Sequence, residues 1–229
     1  MTTHILTPTS NLEDSVVFYT FLGFQLISEK NPTVVTDGKA VVEIDPNRFI
    51  RAGIKVYTNK LDEYVTELKK LTQVVAIENG YVLSDPTGTY IYLTNQPVPV
   101  DYDVKENSFS SLGNYAGISL EAIDPELTIK VWKVLGFKTS SGSLEQGWVA
   151  LTNNEGFGVS IMKPNQCPHL FFNPSLTYFN GGNNPEVIEK VREAQIPITE
   201  EITHFNSEGI VDNIIIRDPG GYGFFLFND

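Results

Sequence analysis

The chain has 229 residues, 41% of them hydrophobic and 19% charged, enough apolar surface to offset the entropy lost in folding one large or two small domains. Its 16 basic and 28 acidic residues leave a net charge of −12, a field that repels phosphate backbones and anionic headgroups, so neither nucleic acid nor a membrane surface is an expected partner. A single cysteine, Cys167, permits no internal disulfide and no multi-cysteine zinc site. The start, Met-Thr-Thr-His, lacks a basic and apolar leader, and no apolar run approaches the ~18 residues of a spanning helix, so a soluble cytoplasmic protein is expected.

Four segments have helical spacing, each opening on a side chain able to accept from free backbone donors: Asn11, Asn59, Asp124 and Asn184. The first carries the apolar stripe Val17, Phe18, Phe21 and Leu22. Strands follow at 41-VVEI-44 and 54-IKVYT-58, and then the second stripe, Leu61, Tyr64, Val65, Leu68 and Leu71. The turn Asp85-Pro86-Thr87-Gly88 precedes the strand 90-YIYLT-94. Residues 96–113, rich in proline, serine and charge, read as a linker. Beyond it, Asp124 and Asn184 are each followed by Pro-Glu, a proline that needs no donor and an acid that suits the positive helix end. Their stripes are Val131, Trp132, Leu135 and Val187, Ile188, Val191, with strands at 147-GWVAL-151, 213-NIII-216 and 223-GFFLF-227. The turn Asp218-Pro219-Gly220-Gly221 again stands just before the last strand.

Residues 15–24 (SVVFYTFLGF) lie over residues 128–137 (TIKVWKVLGF), 113 positions apart, so the chain is internally duplicated. The expected division is 1–95 for the first half, 96–113 for the linker and 114–229 for the second half. Each half holds two units of strand, helix and three strands. The opening 11-NLEDSVVFYTFLGF-24, the two Asp-Pro-x-Gly turns and 196-IPITEE-201 in this order resemble the vicinal-oxygen-chelate superfamily, which includes glyoxalase I, extradiol dioxygenases and fosfomycin- and bleomycin-resistance proteins. The resemblance implies an α+β fold of four βαβββ modules in two halves, with curved mixed sheets, helices outside and a ligand or metal site on each cupped face.

Strand side chains alternate, so with Thr3, Ile5 and Thr7 toward the first helix, His4 and Leu6 point into the cup, as do Val41 and Glu43. In metal-dependent relatives the ligands are a histidine on a unit's first strand and a carboxylate on its last, repeated in the partner unit. His4 and Glu43 match one such pair and would suit a divalent metal acting as a Lewis acid. The partner positions are Gly53 and Tyr92, and the second half has Gly117, Ser160 or Ile161, Ser175 and Phe225. Two ligands fall short of the three that catalytic sites keep.

A metal-free site is drawn from the same face. Lys55 points inward and either places its ammonium near Glu43 or extends, solvated, to the rim. Without the family match His4 would read as an exposed near-terminal histidine and Glu43 as a strand-end carboxylate in water. Tyr57, Tyr90 and Tyr92 form either aromatic walls or ordinary core, and Phe179, Phe225 and Phe227 read as core. Gly220 to Gly223 is a turn, Cys167-Pro168-His169 a loop with an incidental thiol, and His204 a loop residue near a rim.

The function expected is a glyoxalase- or bleomycin-resistance-like protein that binds a small organic molecule without a cofactor, through His4, Glu43, Lys55, Tyr57, Tyr90 and Tyr92. The alternatives are a metal-dependent lyase, isomerase or dioxygenase using His4 and Glu43, and a structural or protein-interaction module with filled cups. Some relatives build sites across two subunits, which makes a homodimer one of the expected assemblies.

Overall fold

A computed structural model describes residues 1–228. In the first half, β1 (Thr2–Pro8), α1 (Leu12–Phe21), β2 (Gln25–Ser28), β3 (Thr33–Thr36) and β4 (Val41–Asp45) make one module. The second is β5 (Gly53–Tyr57), α2 (Leu61–Leu68), β6 (Val74–Ile77), β7 (Gly80–Ser84) and β8 (Tyr90–Thr94). The second half repeats this with β9 (Tyr115–Glu121), α3 (Pro125–Val134), β10 (Lys138–Ser143), β11 (Trp148–Thr152) and β12 (Gly158–Met162). Its other module is β13 (Ser175–Phe179), α4 (Asn184–Glu193), β14 (Ile198–Ile202), β15 (Asn213–Arg217) and β16 (Gly223–Phe227).

Adjacent modules join through their first strands. β1 pairs antiparallel with β5 in the eight-stranded sheet β2-β3-β4-β1-β5-β8-β7-β6, and β9 pairs with β13 in the equivalent sheet β10-β11-β12-β9-β13-β16-β15-β14. The first strand of each module also runs parallel to its last. Each sheet is therefore mixed, and each cup belongs to one half of the chain.

The helices cover the opposite faces, where the halves meet. Phe18 and Tyr19 of α1 and Leu22 just beyond it pack with Ile5, Val42 and Ile44, and the same buried cluster takes in Val187, Ile188 and Val191 of α4 and Phe224. Val65 and Leu68 of α2 share a second cluster with Val131, Trp132 and Leu135. The stripe expected in α1 turns out rotated: Phe21 is 63% exposed and Val17 also faces out, while Tyr19 and Ser15 are buried in their place.

Two caps match the sequence and two do not. Asn11 accepts from the backbone N–H groups of Glu13 and Asp14, and Asp124 accepts from Leu127. The second helix begins after Lys60, not Asn59, and Thr58 Oγ1 receives the Lys60 N–H instead. Asn184 is the first residue of α4, and its buried amide donates to the carbonyls of Asp212 and Leu226, which ties the helix to β15 and β16.

Both Asp-Pro turns are held from across the interface by the same position of the repeat. Trp132 Nε1 donates to Asp85 Oδ2 at 2.9 Å, and Tyr19 OH donates to Asp218 Oδ2 at 3.0 Å. Thr7 Oγ1 adds a bond to the same Asp218 oxygen at 2.6 Å. Burial raises the pKa of both carboxyls, and these bonds oppose that rise. Removing one donor leaves a buried acceptor short, so Trp132→Phe and Tyr19→Phe should each lower the unfolding free energy by about 1–3 kcal/mol in urea melts. An unchanged midpoint in both variants would show that the clamps are idle.

Candidate functional site

The first cup brings four of the expected residues together. His4 on β1 stands opposite Lys55 on β5, while Leu6 stands beside Glu43 on β4, so the pleat aims the imidazole, ammonium and carboxylate at one spot. His4 Nδ1 donates to Glu43 Oε1 at 2.7 Å, and Tyr57 OH donates to the same oxygen at 2.5 Å. Lys55 Nζ donates to Glu43 Oε2 at 3.1 Å and lies over the Tyr57 ring. Lys55 keeps 26% of its side-chain exposure, whereas Glu43 has none. Its ammonium therefore serves the carboxylate from the rim, and neither His4 nor Glu43 is the solvated surface group that an unmatched reading would give.

Burial pushes the Glu43 carboxyl up, but the His4 bond, the Lys55 charge and the Tyr57 bond outweigh it, and its pKa ends below the ordinary carboxylate value. Burial and the adjacent Glu43 charge raise the Tyr57 phenol, which stays a protonated donor.

This arrangement does not fit a divalent ion. Nδ1 and Oε1 point at one another, whereas chelation needs both lone pairs directed at a third atom, and the second carboxylate oxygen already holds an ammonium. Among the described residues, no three His, Cys, Asp or Glu side chains group to hold a metal. The partner positions are closed by backbone: a Cβ at Gly53 would strike the Tyr90 carbonyl, and one at Gly117, where φ is +127°, would strike Gly158. In this structure the expected ligands His4 and Glu43 hydrogen-bond to each other, and the buried ion pair is that of Glu43 with Lys55.

The remaining expected residues close this cup or leave it. Tyr92 is buried and its hydroxyl accepts from the Arg51 N–H, which draws the 46–52 loop over the sheet. Tyr90 is an exposed ring stacked on Tyr92. Leu6 and Val34 are fully buried on the same face, so the middle of the first cup is filled. A smaller hollow of about 340 Å³ lies at its edge, between Thr2, His4 and Val41 on one side and Val98, Tyr102 and Glu155 on the other.

The second cup is hollow, with a cavity of about 570 Å³. Strand register explains the difference. In the first sheet the inward positions are His4, Leu6, Val34, Glu43, Lys55 and Tyr92; their counterparts in the second are Gly117, Ser119, Ala150, Ser160, Thr177 and Phe225. Five of the six are far smaller, and the space they vacate is walled by Trp148, Phe171, Phe179, Phe205, Phe225 and Phe227. Phe225 is core as expected, but Phe179 and Phe227 face the cavity at its rim.

The loop residues Cys167 and His169 also line this cavity. His169 Nδ1 donates to the Leu170 carbonyl at 2.7 Å, and its ring stacks on Phe171, so it acts as a wall and makes no pair with the thiol. Cys167 donates to Met162 Sδ at 3.5 Å, and burial followed by the Glu121 charge raises its pKa, which makes it a poor nucleophile. His204 is exposed. Trp148, Phe171, Phe205 and Asn228 went unrecognised in the sequence, where the available signal was the run of small inward residues in the second copy.

Solved structures with a similar fold include ring-cleaving dioxygenases. The chain is similar to homoprotocatechuate 2,3-dioxygenase from Arthrobacter globiformis, with a TM-score of 0.60 and 13% identity over 99% of this chain and 78% of that one. It is similar to the 2,3-dioxygenase LapB from Pseudomonas sp. KL28 at TM-score 0.54 and 16% identity, covering 99% and 91%. It is likewise similar to 2,2',3-trihydroxybiphenyl 1,2-dioxygenase from Sphingomonas wittichii RW1 at 0.53 and 15%, covering 99% and 89%. No protein-family model and no curated protein matches the sequence.

The Glu43 cluster makes a test possible. A folded-state pKa below the ordinary value means that the ionised carboxylate stabilises the fold at neutral pH, and that this contribution is lost as pH falls through the depressed pKa. Glu43→Gln should lower the unfolding free energy by about 3 kcal/mol at pH 7. The gap between parent and variant should narrow as pH drops below about 4.5. A gap that is absent at neutral pH, or constant down to pH 2.5, would contradict the buried ion pair.

Proposed function

From the vicinal-oxygen-chelate fold that this chain shares with those dioxygenases, we propose that it binds a small organic molecule in the cup of its second half and holds it without turnover. The observation that carries this reading is the contrast between the halves: one inner face is filled by a satisfied ion-pair cluster, and the other keeps a cavity of about 570 Å³. That volume lies within the ~300–1,000 Å³ of small-molecule sites. Flat aromatic walls supply desolvated contact area, which is where most affinity for such ligands arises.

His4, Glu43, Lys55 and Tyr57 take a supporting role in this proposal, together with Tyr92; they set the shape of the first half and do not touch the ligand. The idea of a filled, structural cup suits that half alone. A metal-dependent lyase, isomerase or dioxygenase built on His4 and Glu43 gains no support from a pair whose donor atoms are spent on each other. This proposal keeps from the glyoxalase- and bleomycin-resistance-like reading only the idea of a cup that sequesters a metabolite.

Nile red, an uncharged dye that fluoresces in apolar surroundings, provides the test. It should bind saturably with one site per chain, and Ala150→Trp, which fills the cavity from β11, should weaken binding at least tenfold while leaving the urea midpoint of the protein in place. Absence of saturable binding, or binding indifferent to Ala150→Trp, would overturn the assignment.

A further inference from the structure

We propose that β6 is a dimerisation edge: two copies of this chain pair antiparallel along Val74–Ile77 about a two-fold axis at Ala76, which joins their first sheets. The proposal stands apart from the ligand assigned to the second cup. β6 ends its sheet and pairs on one side only, with β7. Bonding alternates along an antiparallel pair, so half of its residues aim N–H and C=O groups outward, where no described strand meets them.

An open edge is a template for another strand, and proteins blunt such edges with bulges, charges or proline. The outer strands of the two sheets differ in this respect. β2, β10 and β14 each carry a register shift, between Leu26 and Ser28, Thr139 and Ser141, and Ile198 and Glu200. β10 also opens on Lys138, and β14 carries Glu200 and Glu201. β6 (VVAI) has an unbroken register and neither charge nor proline. Its Val75 and Ile77 are 47% and 42% exposed. This one edge is left regular, uncharged and apolar.

A second copy is the occupant that fits it. A two-fold axis normal to the sheet keeps both cupped faces on one side, so residues of like parity must oppose one another. Val75 stands in line with Val82 and Tyr92 on the cupped face. Centred on Ala76, the pairing sets Val75 against Ile77 of the second copy, twice, on that face. On the helix-covered face it sets Val74 against Glu78 of the second copy. Lys69 lies on this face, with its ammonium over the ring of Tyr81, the cross-strand neighbour of Ala76. Lys70 pairs with Glu67, but among the described residues neither Lys69 nor the exposed Glu78 has an ion pair. An antiparallel partner therefore brings a free carboxylate toward each free ammonium, and does so at both ends of the seam. Four residues make a short seam, below the ~1,200 Å² of standard interfaces, so the dimer exchanges with monomer.

Sedimentation equilibrium of the intact chain tests this. As protomer concentration rises from ~5 to ~500 μM, the weight-average mass should climb from that of one chain toward two. Val75→Lys, which sets an ammonium against Ile77 at both ends of the seam, should keep the protein monomeric over that range with its urea midpoint unchanged. Thr139→Lys, the same charge on the bulged edge of β10, should leave association as it was. Ala76→Cys in a Cys167→Ser background should form a disulfide-linked dimer under diamide, because residues opposed across the axis lie within bridging reach. A chain that stays monomeric at the highest concentration overturns the proposal, whether its edge is bare or kept for an extended peptide of another protein. So does a dimer that survives Val75→Lys, or one that yields no disulfide at position 76.

Discussion

A carboxylate with no access to water must be met by donors on its own face of the sheet, and the first half of this protein is organised around that requirement. Glu43 is fully buried on β4, and its two oxygens take up His4 from β1 and Lys55 and Tyr57 from β5. Three strands are thereby locked in register, because a slip of one residue would turn the donors to the helix-covered face and strand the charge. The cluster also sets what this half can do. An imidazole and a carboxylate engaged with each other are not available to chelate a third atom, and the residues around them, Leu6, Val34 and Tyr92, fill the middle of the inner face.

The second half uses the same backbone with the opposite side-chain economy. Where the first copy has Leu6, Val34 and Glu43, the second has Ser119, Ala150 and Ser160, and the strands enclose space instead of packing. The interface between the halves explains why one can be hollow without loss of order. α1 and α4 share one buried cluster and α2 and α3 another, and the two Asp-Pro turns are clamped across the boundary by Tyr19 and Trp132. The helix-covered side supplies the packing that the inner face of the second sheet gives up. A duplicated fold can in this way differ between copies: one inner face is packed through its middle, and the other encloses a cavity.

Much of the fold was legible in the sequence because it is written in periodic terms. The matched segments 15–24 and 128–137, the turns at Asp85 and Asp218 and the strand runs gave four modules, and strand parity placed His4, Glu43, Lys55 and Tyr57 on one face. The errors lie where tertiary contacts override local preference. Asn184 looks like a cap but spends its amide on two carbonyls of the sheet, and Tyr19 displaces Val17 and Phe21 from the buried side because it has Asp218 to reach. The candidate site was less legible than the fold. Polar residues that converge attract notice as chemistry, yet in this chain they satisfy one another. The hollow is announced by alanines and serines, whose meaning appears only when their counterparts in the first copy are set beside them, and by Phe171 and Phe205, which arrive from loops without periodicity.

The chain contains two methionines, Met1 beside Tyr64 in the first half and Met162 on the wall of the second cup. Methyl-labelled methionine therefore gives one NMR signal for each half of the protein. On titration with Nile red, the Met162 methyl should shift and saturate while the Met1 methyl stays in place. A shift at Met1 with Met162 unmoved would put the ligand in the wrong half and contradict a division into a filled support and a hollow container.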